Sequence, residues 1–171
     1  MLDLGSDERY STGILLARSL AAAQIPRCFG IPGVQNLRIY ETLGNDTVEP
    51  VLVTNEVSAA YLAVGQYQSS GLLGCANLIG GPGLTHALPG IEFAFRTHAP
   101  VLVLTTGCAR DEGRSYQLHD VDNLEILAPL CKETHRLSAH DDVHEVVSRL
   151  VASALGGVPG PCALEVPMHL L

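Results

Sequence analysis

Apolar residues in this chain fall into short continuous runs, separated by longer stretches in which they recur every three or four positions. Residues 11–24 (STGILLARSLAAAQ) set Ile14, Leu15 and Leu20 at helical spacing behind a Ser or Thr cap, which predicts an opening helix. Runs at 27–31, 51–54, 72–78, 101–106 and 162–166 predict strands, and 132–137 predicts a weaker one. Helical patterns fill 36–43, 56–70, 83–96 and 141–155 between them.

Strands that are apolar throughout, rather than at alternate positions, are covered on both faces, and strand–helix alternation joins them by right-handed crossovers. The expected fold is therefore α/β: a three-layer, doubly wound domain over residues 1–171, with a mainly parallel six-stranded sheet and helices on both faces. In such folds ligands bind at the carboxyl ends of strands, which points to the segments 30–36, 55–56, 80–86 and 107–120.

Composition narrows the function. The chain has 171 residues, 47% hydrophobic and 16% charged, enough apolar content for one well-filled core. A formal net charge of −8, with scattered basic residues, predicts no nucleic-acid or membrane partner. No apolar run approaches the roughly 20 residues of a membrane span. Asp3, Asp7 and Glu8 replace the basic start of a secretory or transit signal, so a cytoplasmic location is expected. Five widely spaced cysteines, an odd number lying in apolar surroundings, read as reduced, buried thiols.

Two loops carry unusual residues. Glu56 follows the run VLVT and opens a helical stretch, which puts a carboxylate at a strand's carboxyl end and a helix N-terminus. Taken alone, Asn55 could simply cap that helix while Glu56 meets its dipole. Residues 80–83 (GGPG) allow a flat ligand to approach backbone N–H groups, although a ligand-free glycine turn explains them equally. A dinucleotide fingerprint fits poorly because G-P-G-L-T-H lacks its third glycine, and the absence of G-x-S-x-G discards an α/β hydrolase. His140 and His144 stand four apart, but Asp141 and Asp142 between them read as first-turn acids of a solvated helix rather than a metal site.

Taken in order, FGIPG (29–33), TNEVSAAYLAVGQY (54–67), GGPGLTHAL (80–88), APVLVLTTG (99–107), SYQLHD (115–120) and a closing GPCALEVP resemble one family. The chain is similar to the N-terminal, pyrimidine-binding domain of acetolactate synthase-like thiamine-diphosphate enzymes. That resemblance implies that Glu56 hydrogen-bonds the N1' atom of the cofactor's aminopyrimidine and promotes ylid formation, an arrangement that works best where desolvation favours a shared proton. It further implies that Gly30, Pro32 and Gly33 border the site entrance, that Gly81, Pro82 and Gly83 lie near the substrate or pyrimidine of a neighbouring active site, that His86 is among the cofactor-binding residues, and that Gln117 faces the substrate as a second catalytic group. The substrate class is a small 2-oxo acid, and the reaction is decarboxylation or carboligation, of lyase or transferase type.

Departures from the family pattern are Asn55 for a histidine, His86 for an asparagine, and Leu118 where an acid often follows the glutamine; Asp120 does fit. His119 lacks the paired-histidine arrangement, which favours carboligation or a specialised decarboxylation over simple aldehyde release. The family's Gly-Asp-Gly magnesium motif is missing. The resemblance therefore implies that thiamine diphosphate is shared with a separately encoded diphosphate-binding subunit that holds Mg2+, in a homodimer or heterotetramer, as in split sulfopyruvate decarboxylases. A noncatalytic, dimerising relic and a piece of a longer enzyme are the other readings.

Overall fold

The computed structural model describes residues 11–44, 48–108 and 118–171. Six strands, β1 (Arg27–Gly30), β2 (Glu49–Leu52), β3 (Gly74–Leu78), β4 (Val101–Gly107), β5 (Glu133–Arg136) and β6 (Cys162–Pro167), form one sheet in the order β2-β1-β3-β4-β6-β5. Every pairing is parallel. The order reverses between β1 and β3, which opens a crevice at their carboxyl ends.

Helices α1 (Thr12–Ala22), α2 (Leu37–Tyr40) and α6 (Val143–Leu155) cover one face, while α3 (Glu56–Ser70), α4 (Pro82–Arg96) and α5 (Asn123–Leu127) cover the other. Strand residues divide between the faces by their alternation. Cys28, Cys75, Leu102, Leu104 and Leu164 pack with Leu16, Leu20 and Val147. Phe29, Ala76, Val103 and Ala163 pack with Ala60, Leu84 and Ile91. Where α4 crosses α3, a Cβ on Gly90 would stand 2.5 Å from that of Ala60, so the small residue permits the close approach.

Helix limits follow their caps. Ser11 accepts from the Ile14 N–H at 3.4 Å, and Asn55 accepts from the Val57 N–H at 2.8 Å. Asp142 accepts from the N–H groups of His144 and Glu145 at 2.8 and 3.1 Å. A helix thus does start there, but Asp142 is its cap, and Asp141 instead bonds His135 at 3.0 Å and accepts from the Ser138 N–H at 2.7 Å. Those bonds, His135 first, hold the Asp141 carboxyl below its ordinary pKa.

Three expected elements shift. The helix expected over 36–43 shrinks to one turn, because Asn36 turns its side chain back to the preceding loop and Thr42 donates to Gly13 O and Ile39 O. Strand β2 begins at Glu49, where Arg27 Nε meets the glutamate at 2.9 Å, and ends at Leu52; Pro50 is tolerated because β2 is an edge strand. Strand β3 begins only at Gly74, after Gly71 ends α3 in the left-handed conformation. The weak strand at 132–137 forms as edge strand β5.

All five cysteines are free and buried. Burial pushes the Cys131 and Cys162 thiols up, and the bond between Cys28 and Cys75, whose sulfurs lie 3.6 Å apart, raises Cys75 further. No helix among the described residues is long and apolar enough to cross a membrane.

Candidate functional site

The site grows from loops that leave β1, β2 and β3 at the carboxyl edge. Glu56 is the first residue of α3, three residues after Val53, whose N–H donates to Gly30 O at 3.1 Å just past the end of β2. Its side chain is largely enclosed, 18% exposed. One carboxylate oxygen, Oε2, lies 2.9 Å from His86 Nδ1 on α4. The other, Oε1, faces Gly83, where a Cβ would sit 3.7 Å away. With no side chain at Gly83, Ile79 packs against its backbone beside Oε1.

Ile79 links the loops. A Cβ on Gly83 would stand 2.7 Å from its Cγ1, and one on Gly33 would stand 3.1 Å from its Cγ2. Glu56, Gly83, His86 and Gly33 are therefore brought together around one apolar side chain. Pro32 and Pro82 are exposed on their loops, Pro82 at the first turn of α4. At Gly30 a Cβ would stand 2.5 Å from the Tyr40 hydroxyl and would strike Asn77 O, so β1 ends against β3 and α2 without a side chain. Gln117 lies outside the described residues, and Leu118, which follows it, is exposed.

Two buried polar networks fix these loops, and sequence reasoning missed both. In the first, Asn36 Oδ1 accepts from the Gly33 N–H at 2.7 Å, while its Nδ2 donates to Ile31 O at 3.2 Å and to Asn77 Oδ1 at 3.4 Å. In the second, Asn123 Oδ1 accepts from the Gly81 N–H at 3.0 Å, and Asn123 Nδ2 donates to Thr106 O and Glu165 Oε2, each at 3.1 Å. Arg136 closes the second network with bonds to Glu165 Oε1 at 2.5 Å and Asp122 Oδ1 at 3.1 Å. Glu165 is only 1% exposed, so this paired guanidinium is what makes its burial tolerable. The available signal was a polar residue within an apolar strand: Asn77 in GCANL and Glu165 in CALEVP.

Gly81 adopts φ 68°, a conformation that side-chain-bearing residues rarely take, and a Cβ there would meet His119 at 3.0 Å. The glycine loop is thus held by Asn123 on one side and covered by His119 on the other. His140 and His144 are exposed, and no group of three His, Cys, Asp or Glu side chains gathers for a metal among the described residues.

An enclosed glutamate and glycine loops meet at the switch point of the parallel sheet, the place where α/β folds of this kind hold their ligands. Residues 11–126 match the family described as thiamine pyrophosphate enzyme, N-terminal TPP binding domain, and the chain belongs to that family. It is 28% identical over 165 residues to the acetolactate synthase isozyme 3 large subunit of Escherichia coli (strain K12), covering 96% of this chain and 29% of that one. It is 27% identical over 174 residues to 2-hydroxyacyl-CoA lyase 2 of Xenopus laevis, covering 100% of this chain and 26% of that one. A 2-hydroxyacyl-CoA lyase of Oryza sativa subsp. japonica is 26% identical, across 92% of this chain and 27% of the other. The chain thus spans less than a third of the length of these relatives.

Proposed function

We propose that residues 1–171 form one pyrimidine-binding domain, which supplies half of the cofactor site in a thiamine-diphosphate-dependent 2-oxo acid decarboxylase or carboligase. The observation that carries this reading is Glu56, enclosed at the switch point with Oε1 turned toward the Gly83 backbone beside Ile79. A carboxyl group so enclosed fits a weakly basic ring nitrogen. When bound, thiamine diphosphate supplies the electron sink for cleaving or forming the bond next to the substrate carbonyl.

The protein's own part is to bind, orient and move a proton. Glu56 Oε1 would hold a proton for a ring nitrogen of the cofactor, and the apolar side chain of Ile79 beside Gly83 would strengthen that bond by excluding water. Gly33, Gly81 and Gly83 let backbone approach the ring, and Gln117 orients the substrate. The diphosphate and its Mg2+ belong to a separate diphosphate-binding chain in a homodimer or heterotetramer. Val34 and Leu118, 90% and 72% exposed beside the loops at this edge, support a covering partner. Coverage of under a third of each relative supports the same division of labour, with the diphosphate half supplied by another chain or another segment of a longer one. The five free cysteines support a cytoplasmic setting.

Isothermal titration of thiamine diphosphate and Mg2+ into this chain, alone and mixed with a diphosphate-binding chain, tests the reading. Tight binding in the mixture only is expected. No binding in either supports the noncatalytic reading instead.

A further inference from the structure

His86 occupies a position where the family pattern has an asparagine, and it is the side chain that touches the Glu56 carboxylate, at 2.9 Å. Glu56 is the first residue of α3 and His86 the fifth of α4, so the contact bridges the two helices at the sheet's carboxyl edge. His86 is 56% exposed, whereas Glu56 is 18% exposed. The pair therefore has one end in water and the other facing the backbone at Gly83. An asparagine there could hold the carboxylate but could not exchange a proton with solvent; an imidazole does both.

The geometry points to His86 as a positioning and proton-loading residue for Glu56, an inference that rests on the role proposed for Glu56 above. As Oε1 gives up its proton, Oε2 would take the Nδ1 proton of His86, whose exposed Nε2 would take one from water. The ring is left neutral, with its proton on Nε2 instead of Nδ1. One proton enters and one leaves, and no electron changes hands. This makes cofactor activation depend on the protonation of an exposed imidazole.

Other ionisable groups on the surrounding elements are Tyr61 and Tyr67 on α3, Glu92 and Arg96 on α4, and His119 and Asp120 next to the Gly81 loop. Glu92 and Arg96 pair with each other at 3.0 Å toward the far end of α4. His119 is the second imidazole at this edge, so it serves as the control.

The first test uses the chain alone, labelled with 15N, and reads the His86 ring nitrogens by long-range proton–nitrogen correlation at neutral pH. A proton on Nδ1 in the wild type, moving to the Nε2–H form in E56A, is expected. Identical ring shifts in the wild type and E56A overturn the proposal. The second test follows exchange of the thiazolium C2 proton against pH in the enzyme reconstituted with its diphosphate-binding chain. H86N is expected to slow exchange by roughly 100-fold near neutral pH and to remove the limb of the profile due to the imidazole. H119N is expected to keep that limb. A profile of unchanged shape in H86N, even at a lower rate, overturns His86 as proton donor while leaving Glu56 in place. Exchange that survives Glu56→Gln overturns the Glu56 assignment itself.

Discussion

The backbone N–H of Gly81 donates to the side chain of Asn123 across 42 residues of sequence, at 3.0 Å, and through that one amide the glycine loop is tied to β4, β6 and Arg136. Each donor and acceptor of this amide is committed within the interior, so the loop's shape depends on a residue that touches no ligand.

Asn123→Ala leaves the Gly81 N–H and Glu165 Oε2 without that partner in a buried setting. The expected cost is about 3 kcal/mol, since one of the orphaned groups is charged. That corresponds to a fall in Tm of roughly 6–12 °C by calorimetry. Asn123→Asp is expected to be at least as costly, because it sets a second carboxylate against Glu165. A change below roughly 1 °C in either variant would show that the network does not hold the loop.

Glu56→Gln preserves shape while removing the acid. The fold and Tm are expected to stay close to wild type, since Asn55 still caps α3, whereas C2-proton exchange and turnover in the reconstituted enzyme are expected to be lost. Unchanged turnover would refute the assignment.

Gly83→Ala places a methyl group 2.7 Å from Ile79 Cγ1 and 3.7 Å from Glu56 Oε1. The variant is expected to weaken cofactor binding by roughly 10-fold or more in the titration, about 1.4 kcal/mol, because Ile79 must shift beside the carboxylate. Gly81→Ala acts by another route. Its positive φ is expected to cost about 1–3 kcal/mol of stability, seen as a lower midpoint in urea.

Asp141 gives a pH signature away from the site. Its carboxyl is held below the ordinary value by His135 and the Ser138 N–H, so the folded state binds its proton less readily than the unfolded chain. The stability this contributes is present above the ordinary carboxylate pKa of about 3.9 and is lost as pH falls through the lower, folded value. Asp141→Asn should therefore lower Tm at pH 7 and approach the wild-type value as the solution is acidified below that range.

Cys28, Cys75 and Cys162 are fully buried, and Cys75 and Cys162 are shifted toward the protonated thiol. A thiol reagent such as Ellman's should leave these three unmodified in the native chain and reach all five only after denaturation. Rapid labelling of all five in the native chain would contradict the packing.

The layout was legible in the sequence wherever local chemistry decides structure. The helix expected over 56–70 forms with those limits because Asn55 caps one end and Gly71 turns the other. The five apolar runs and the weaker segment at 132–137 became six parallel strands, and β3, β4 and β6 are buried throughout, as continuous apolar runs require. Glu56 and the glycine loop could be read because each follows a strand directly. The connections between distant segments could not. The bond from His86 to Glu56 spans 30 residues and depends on how α3 crosses α4. Asn123 sits in a stretch with no helical period long enough to reveal α5, and its partners come from two strands and a loop. Residues 36–43 look helical by spacing, but the Asn36 amide serves the preceding loop instead.

A sheet in which all six strands run the same way also has a second rim, where chain enters each strand instead of leaving it. Gly71 and Gly157 lie in connections on that rim, both exposed and with nothing within 4 Å of where a side chain would begin. Both keep a positive φ that favours glycine, so a dye, affinity handle or surface tether is better attached at exposed Val158 beside Gly157, where it would leave the Glu56 rim unobstructed. Molecules immobilised in this way would all present the same edge to solution, so an assembly assay could count docking events on an oriented layer.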